Sequence, residues 1–384
     1  MKLLEDLKPD FDKGGKWEKY AAVYDAIDTT LYSPASVTSG PVHVRDSINH
    51  KRVMSILMLA LLPCIMMAMW NSGYQINLTL AQMAGGAAQP GLSNHTSLVA
   101  NLLKGAGLFL PVLLVSLITQ AIWVTVFAAM RKKNIDAGFL VTATLIALLM
   151  PPTVPLWQVV LATSFGVVIG REIYGGIGMN FLNPALVAWG FMYLAYPSSL
   201  TGETAWTAVD GYSGATPLTM ALNNGLPALS ELGISWKAAF LGTIPGTMGE
   251  TSALACLIGA AILLVSGIAS WRIMASVLVG VTAVSSLLCM FNPAALNPAW
   301  HLVLGGLAFG LVFLATDHSS AAMTGLGQWI YGFLIGALVV VVRVFNPMMP
   351  ESAALVILFG NVCAPLIDRL IVNAHIKKRK LRHV

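Results

Sequence analysis

The sequence predicts an all-α polytopic membrane protein with about ten transmembrane helices, arranged as two inverted five-helix repeats. Three observations lead to this fold class. Hydrophobic residues make up 57% of the 384 positions and charged residues 10%, whereas soluble domains carry about 25% charged residues. The hydrophobic residues gather in long runs, and two parts of the chain share a similar pattern. A bundle of membrane helices uses so much apolar sequence better than several soluble domains would.

The hydrophobic runs predict where the helices lie. Several runs are shorter than the ~20 residues that a straight span needs, and prolines such as Pro184 and Pro298 stand at their ends. Because proline interrupts helical hydrogen bonding, broken or tilted helices are expected. The runs are approximately 53–72, 107–130, 137–150, 156–170, 181–196, 251–267, 273–290, 300–316, 329–342 and 353–372.

An internal similarity supports the division into two halves. Residues 155–166 and 298–310 each begin with Pro, have Trp two positions later and end in Phe-Gly. Each copy then reaches a polar corner, Gly170-Arg171-Glu172 in the first and Ala315-Thr316-Asp317 in the second. Since five spans per half is an odd number, the two halves must cross the membrane in opposite senses. Folds of this kind place their sites near the midplane, where discontinuous helices meet.

Polarity divides the predicted chain into five segments. The N-terminal segment contains a stripe of aromatic residues at helical spacing, beginning with Trp17, Tyr20 and Tyr24, that predicts an amphipathic helix. This helix lies either on the membrane surface or against a partner subunit. The segments are a cytoplasmic N-terminal segment (1–52), the first repeat (53–197), a loop (198–237), the second repeat (238–374) and a basic tail (375–384).

Basic clusters set the predicted orientation. Lys51-Arg52, the cluster at 131–133 and the tail at 377–382 fall on one side of an even number of spans. The positive-inside rule therefore puts both termini in the cytoplasm and the 198–237 loop in the periplasm. No aromatic or glycine residues interleave these basic runs, which favours contact with membrane lipid and no binding of nucleic acid.

The four cysteines lie singly inside apolar segments, at positions 64, 256, 289 and 363. They form no C-x-x-C pair, so a disulfide framework or a zinc site within this chain is not expected. A cysteine that binds a metal together with another subunit is the alternative that the spacing leaves open.

The strongest functional signal is the segment 210–217, which reads D-G-Y-S-G-A-T-P. Its small residues leave the hydroxyl of Thr216 sterically open, and Pro217 stops a helix from crossing the segment. The segment matches in full the D-x-x-S-G-A-T pattern that flavin transferases read when they attach FMN to a threonine through its phosphate. An ordinary polar connector is the alternative interpretation. The complete pattern favours FMN on Thr216, surrounded by Asp210, Ser213, Gly214 and Ala215.

A second glycine-rich stretch, residues 175–185, breaks the chain between two spans. No strand precedes it, so a Rossmann nucleotide site is excluded. A pore lining, a cofactor edge or a cation path would use such closely approaching backbones. Tight helix packing through small residues explains the glycines equally well.

Acidic residues at the ends of spans are candidates for ion binding. Asp317 and Asp368 end the eighth and tenth runs, and Glu172 holds the position equivalent to Asp317. An acid costs about 2.5 to 3.5 kcal/mol at the centre of a membrane helix and less near its ends, and it is retained mostly for ion or proton transfer. Ser319 and Ser320, together with Thr316, offer oxygens near Asp317. Asp368 neighbours Arg369, so an interfacial ion pair is the alternative to a Na⁺ site there.

Together, these motifs resemble the family that contains the NqrB subunits of Na⁺-translocating NADH:quinone oxidoreductases and the RnfD subunits of Rnf ferredoxin:NAD complexes. The long polar N-terminus favours the NqrB branch. One departure is Gln120-Ala121-Ile122-Trp123-Val124, where the family reads Gly-Gly-x-Trp-Glu. The similarity covers nearly the whole chain and is carried by residues 43–47, 51–52, 149–158, 180–185, 213–216, 315–317 and 361–380.

The resemblance implies a subunit of a six-subunit complex in the bacterial inner membrane, an NADH:quinone reductase that transports Na⁺ (EC 7.2.1.1). Its partners would be NqrA, NqrC, NqrD, NqrE and NqrF, with a flavin transferase acting on Thr216. Electrons would pass from covalent FMN through non-covalent riboflavin to ubiquinone, coupled to Na⁺ export along a route that includes Asp317 and Asp368. The alternatives are an RnfD-like subunit of a ferredoxin:NAD⁺ complex and a flavin-independent channel or carrier.

Overall fold

The computed structural model describes residues 50–83, 97–131, 138–201, 203, 205–209, 213–231, 233–291, 296–346 and 349–381. Every regular element in these ranges is helical, which confirms the predicted all-α class. The helices are α1 (His50–Met83), α2 (Leu98–Arg131), α3 (Gly138–Leu149), α4 (Leu156–Gly170), α5 (Pro184–Ala195), α6 (Pro197–Thr201), α7 (Pro217–Asn224), α8 (Leu226–Glu231), α9 (Trp236–Leu241), α10 (Ala253–Val265), α11 (Trp271–Phe291), α12 (Pro298–Val303), α13 (Leu307–Phe309), α14 (Gly325–Phe345) and α15 (Ala353–Lys380).

Six helices in the described part of the chain are long and apolar enough to cross a membrane, which confirms a polytopic membrane protein. These are α1, α2, α4 with the 3-10 turn that follows it, α11, α14 and α15. Three shorter apolar helices, α3, α5 and α10, coincide with three more of the predicted runs. The eighth predicted run, 300–316, is not one helix. It is divided into α12, α13 and a π-helical turn, Gly310–Leu314, that extends α13.

Two glycines cause the break in the eighth run. Leu304 is extended (φ −90°, ψ 133°), and Gly305 has a φ of +70°. Glycine adopts positive φ at little cost because it lacks a Cβ. Gly306 then caps α13. We refer to Leu304, Gly305 and Gly306 as the α12–α13 break.

Side-chain caps fix where several helices begin. Asn183 accepts a hydrogen bond from Ala185 N at 2.9 Å and Pro184 occupies the first turn of α5. Ser252 and Thr324 cap α10 and α14 in the same way, at 3.2 Å from Ala255 N and Gly327 N. Short polar side chains at these positions satisfy N–H groups that the first turn of a helix leaves free.

Small residues let the membrane helices approach closely. α11 packs along α14, where a side chain at Gly332 would overlap the Ser276 hydroxyl and one at Gly336 would overlap Val277 O. Close backbone approach through small residues is the usual basis of helix association in membranes. Elsewhere α1 packs against α2 and α10, α4 against α2 and α5, and α14 against α15.

The two predicted repeats share part of their packing. α4 contacts α2 and α5, and α14 contacts α11 and α15 in the same order. The similar stretches 155–166 and 298–310, however, fall on the continuous helix α4 and on the broken α12 and α13, which are fourth and third in their groups. What the two stretches share is a proline at the start of a helix, Pro155 as the N-cap of α4 and Pro298 as the first residue of α12. The division into inverted repeats stays a prediction, and the aromatic stripe of residues 17–31 lies outside the described residues.

Candidate functional site

Thr216 is the N-cap of α7, and its hydroxyl is not open as the sequence predicted. Thr216 Oγ1 accepts a hydrogen bond from Thr219 N at 3.2 Å and lies 2.9 Å from Thr219 Oγ1. The residue is only 3% exposed. Capping turns the hydroxyl towards the helix, and the buried side chains of Pro217 and Leu218 line a cavity beside it. Pro217 does begin a helix, as expected for proline in a first turn.

The other residues of the predicted flavin segment differ in how far they are exposed. Ser213 is exposed, and Gly214 and Ala215 are half-buried. Gly214 N donates to Glu203 O at 3.0 Å, which holds the segment against the preceding loop. Asp210 lies outside the described residues.

The first turn of α7 holds the Thr216 hydroxyl. Thr219 N donates to Thr216 Oγ1, and a helix N-terminus favours negative charge such as that of a phosphoryl group. Thr216 also lines an adjacent cavity, here called the Thr216 cavity, with an empty volume of about 290 Å³.

The wall of the Thr216 cavity contains charged residues that the sequence did not single out. Glu250 precedes α10 and Glu351 precedes α15, and both line the cavity. Arg343 on α14 is fully buried beside them. Burial, with the nearby Glu351 carboxylate adding to it, raises the pKa of Glu250 to about 8, against the opposing effects of the Thr247 hydroxyl and Arg343. An acid directly before each of two hydrophobic runs is the sequence signal that could have revealed this pair.

Asp317 lies at the far end of the broken eighth run, where several polar groups converge on it. Ser319 Oγ and Ser320 Oγ donate to Asp317 Oδ2 at 3.0 and 2.9 Å. Asn183 Nδ2 lies 3.4 Å from the same oxygen, and His318 Nδ1 lies 3.5 Å from Oδ1. The predicted proximity of the two serines is confirmed. Thr316 instead donates to Val312 O at 2.6 Å.

Asp317 faces an open cleft, here called the Asp317 cleft, with an empty volume of about 710 Å³. Met54, Leu57 and Phe313 give it apolar walls, while Asn180 and Asn183 add polar edges. The start of α5 thus reaches the corner after α13, because Asn180 Nδ2 also lies 3.3 Å from Ser319 Oγ. The two asparagines of the glycine-rich stretch line the cleft. The glycines of the same stretch, Gly175, Gly176 and Gly178, form a turn with positive φ.

Asp368 has a different environment. Its carboxylate accepts hydrogen bonds from Met323 N at 2.7 Å, Thr324 N at 3.0 Å and Thr324 Oγ1 at 2.5 Å. These groups precede α14, so Asp368 fixes the start of that helix. Glu172, the predicted counterpart of Asp317, is likewise engaged, pairing with Arg131 Nη1 and Arg171 Nε at 2.9 Å. The structure therefore does not bring Asp368 or Glu172 to the Asp317 cleft as ion-binding groups.

Comparison with known proteins identifies the family. A family model described as "NQR2, RnfD, RnfE family" matches residues 37–377. The chain is 48% identical to the NqrB subunit of the Na(+)-translocating NADH-quinone reductase from Stutzerimonas stutzeri (strain A1501), with 100% of this chain and 99% of the relative covered. The corresponding subunit from Azotobacter vinelandii is 48% identical over the same shares. That from Pseudomonas aeruginosa (strain LESB58) is 46% identical over 99% and 98%.

The chain belongs to the NQR2, RnfD, RnfE family. These full-length relatives confirm the NqrB branch that the sequence motifs indicated. The predicted enzyme class, a subunit of an NADH:quinone reductase that transports Na⁺ (EC 7.2.1.1), is confirmed at the level of the family. The apolar helices and these relatives indicate an integral protein of the inner membrane.

In this family member the segment that departs from the family pattern lies on α2, facing α4. Gln120 is fully buried, and neither side-chain amide atom has a hydrogen-bond partner among the described residues. Trp123 Nε1 donates to Ser164 Oγ on α4 at 2.9 Å. Val124 packs in a small apolar cluster with Val167. An apolar contact thus occupies the last position of this segment.

The cysteines of this family member are all free. Cys64 Sγ on α1 and Cys256 Sγ on α10 are 3.9 Å apart, and both thiols are buried. In the part of the chain that the structure describes, no group of three or more His, Cys, Asp or Glu side chains could hold a metal ion.

Proposed function

We propose that this subunit carries electrons within a Na⁺-pumping NADH:quinone reductase, from covalent FMN on Thr216 through non-covalent riboflavin to ubiquinone, coupled to Na⁺ export. The observation that carries the proposal is the complete flavin-attachment segment ending in a threonine that caps a helix. A bound flavin supplies one-electron transfer chemistry. The remaining functions belong to the residues that hold the cofactors and the ion.

The role of Thr216 is attachment, and the role of α7 is electrostatic. The N–H groups of the first turn of α7 would stabilise the negative phosphodiester that replaces the hydroxyl proton. Ser213 and Gly214 shape the approach to this oxygen, and Gly214 N is held by the backbone carbonyl of residue 203, not by a side chain. Asp210 is proposed as the acid that the flavin transferase recognises.

The Asp317 cleft is our proposed seat for the non-covalent riboflavin. A flat ring system with one apolar face and several polar edges suits walls formed by Leu57 and Phe313 and edges formed by Asn180 and Asn183.

Asp317 is also our proposed ligand on the Na⁺ route, in preference to Asp368. Hard cations need several oxygens, and the hydroxyls of Ser319 and Ser320 can rotate to present lone pairs beside the Asp317 carboxylate. The carboxylate of Asp368 is already surrounded by three donors. These donors would have to be displaced before a cation could bind.

Sidedness and partners complete the proposal. Basic residues at Lys51 and in the last turn of α15 support cytoplasmic termini, which puts the Thr216 loop in the periplasm. Exposed apolar side chains on α2, including Leu98, Val99 and Leu103, offer surface for membrane lipid or another subunit. The proposed partners are NqrA, NqrC, NqrD, NqrE and NqrF.

Mass spectrometry of the Thr216 peptide tests the proposal. The complex is produced with a flavin transferase, and we expect an FMN adduct on Thr216 that is absent from Thr216→Ala. Thr219→Ala is the matched control, because it removes the neighbouring hydroxyl and leaves the attachment oxygen. An unmodified wild-type peptide would refute the electron-carrier role and leave a flavin-independent channel or carrier as the better description.

A further inference from the structure

The α12–α13 break gathers three buried charged side chains from distant parts of the chain. Glu250 and Glu351 are each 9% exposed and Arg343 is 0% exposed. They come from the connections before α10 and α15 and from α14. Charges buried in this way are normally compensated by partners or by an ion.

The two glycines of the break lie directly between these charges. Arg343 Nη1 donates to His301 O at 2.8 Å, a carbonyl that the end of α12 leaves free. A methyl group on Gly305 would lie 3.0 Å from Arg343 Nη2 and 3.1 Å from Glu351 Oε2. One on Gly306 would overlap the Glu250 carboxylate.

The cluster has one more negative charge than positive charges when its acids are ionised. Two carboxylates face one guanidinium, and no ion pair within 4.0 Å joins Arg343 to either of them in the described structure. The other titratable groups that interact with them are Cys256 and His301. A neutral thiol adds no positive charge, and a protonated His301 would be repelled by Arg343. A buried excess charge is strongly unfavourable, so a cation or a proton must balance it.

The Thr216 cavity supplies space and oxygens for a cation. Thr247 and Thr251 line it together with both carboxylates. The Thr247 hydroxyl donates to Glu250. Thr251 is 4% exposed, and its hydroxyl has no hydrogen-bond partner among the described residues. A donor set made only of oxygens matches a hard cation.

We propose that Glu250 and Glu351, with the hydroxyl of Thr251, bind one Na⁺ in the Thr216 cavity. The choice of Na⁺ among monovalent cations rests on the proposed function. Asp317 lies at the opposite end of α13 and its π-helical extension, residues 307–314. At 1.5 Å per residue these eight residues span about 12 Å, so the broken run carries an acidic site at each end. Thr216 lines the same cavity, which brings the flavin attachment point next to the ion.

The test uses the purified complex carrying Glu250→Gln or Glu351→Gln, with Glu203→Gln as an exposed control in the same loop as Thr216. Bound ²²Na⁺ is counted at equilibrium without turnover, and covalent flavin is measured by in-gel fluorescence. We expect each of the two buried variants to lose one Na⁺ per complex, or to need at least about tenfold more Na⁺ to fill that site. The control binds as much Na⁺ as the wild type, and flavin content is the same in all variants.

A second pair protects the test against misfolding. Thr251→Val removes the hydroxyl at constant shape and should weaken Na⁺ binding about threefold or more, while Thr251→Ser should bind normally. Unchanged Na⁺ counts in these variants overturn the proposal. The proposal is also overturned if the variants change only the pH dependence of activity and not the amount of bound Na⁺, because a proton then balances the buried charge. Absence of flavin from wild-type Thr216 would contradict the proposed function. The measured amount of bound Na⁺ would still test the proposed Na⁺ site separately.

Discussion

The two ends of the broken eighth run are acidic, but they are built differently. Asp317 is a single carboxylate whose side chain is 17% exposed, and it contacts two serine hydroxyls, an asparagine amide and His318 beside an open cleft. Glu250 and Glu351 form a buried pair with Arg343 beside a smaller cavity. A partly hydrated single acid can exchange an ion at low cost, whereas a buried cluster must keep its charge balanced at all times. On the proposed Na⁺ route, the first arrangement therefore suits ion entry and the second suits ion retention.

Removal of Arg343 should have the largest effect on this comparison. Arg343→Gln leaves two buried carboxylates without their cation, which costs about 3 to 5 kcal/mol. We expect a large loss of assembled complex and a lower unfolding temperature. The double variant Arg343→Gln with Glu351→Gln should recover much of the stability because it returns the net charge of the cluster to that of the wild type. Equal stability of the single and double variants would show that the charges of Arg343 and Glu351 do not interact.

Gly306→Ala tests the packing of the same cluster. A methyl group there would overlap the Glu250 carboxylate, so we expect a cost of about 1 to 3 kcal/mol in the free energy of unfolding. Gly107→Ala on α2 is the control, since nothing lies within 4 Å of the added methyl. Thermal unfolding of the detergent-solubilised complex measures both. A neutral Gly306→Ala would show that the carboxylate does not lie against the break.

Two single acids, Asp317 after the broken run and Asp368 on α15, should separate ion binding from helix capping. Asp317→Asn should raise the Na⁺ concentration for half-maximal quinone reduction about tenfold. Asp368→Asn should instead lower stability by about 1 kcal/mol, through a weakened start of α14, with Na⁺ stimulation unchanged. Steady-state kinetics and thermal unfolding of both variants measure the two effects. A Na⁺ shift in Asp368→Asn alone would restore Asp368 as the ion ligand.

The smallest expected effect is a pH dependence confined to the Thr216 cavity. Glu250 has its pKa raised to about 8, so below that pH a proton occupies the carboxylate and competes with Na⁺. Apparent Na⁺ affinity at this site should therefore fall by up to about tenfold per pH unit below pH 8 and level off above it. Equilibrium ²²Na⁺ binding between pH 6 and 9 measures this. A flat profile in the wild type would show that no proton competes for this site.

Local chemistry made much of the fold predictable. Apolar runs located the helices, and Pro298 and Pro184 stand at the first turns of α12 and α5 as expected. Ser319 and Ser320 follow Asp317 in the chain, so their contact needed no tertiary information. The Glu250, Arg343 and Glu351 cluster was missed because about 100 residues separate Glu250 from the other two. The hydrogen bonds to Asp368 could not be predicted because their donors, Met323 and Thr324, lie 45 and 44 residues away.

The capping of Thr216 has a consequence for how the protein matures. An enzyme that modifies this oxygen must first open the bond to Thr219 N, so the acceptor is available only while the start of α7 is unfolded or displaced. After esterification Thr216 Oγ1 has no proton to give, and Thr219 Oγ1 becomes the sole possible donor between the two hydroxyl positions. The first turn of α7 would then close only after Thr216 has been modified, so its conformation would distinguish modified from unmodified subunits before the complex assembles.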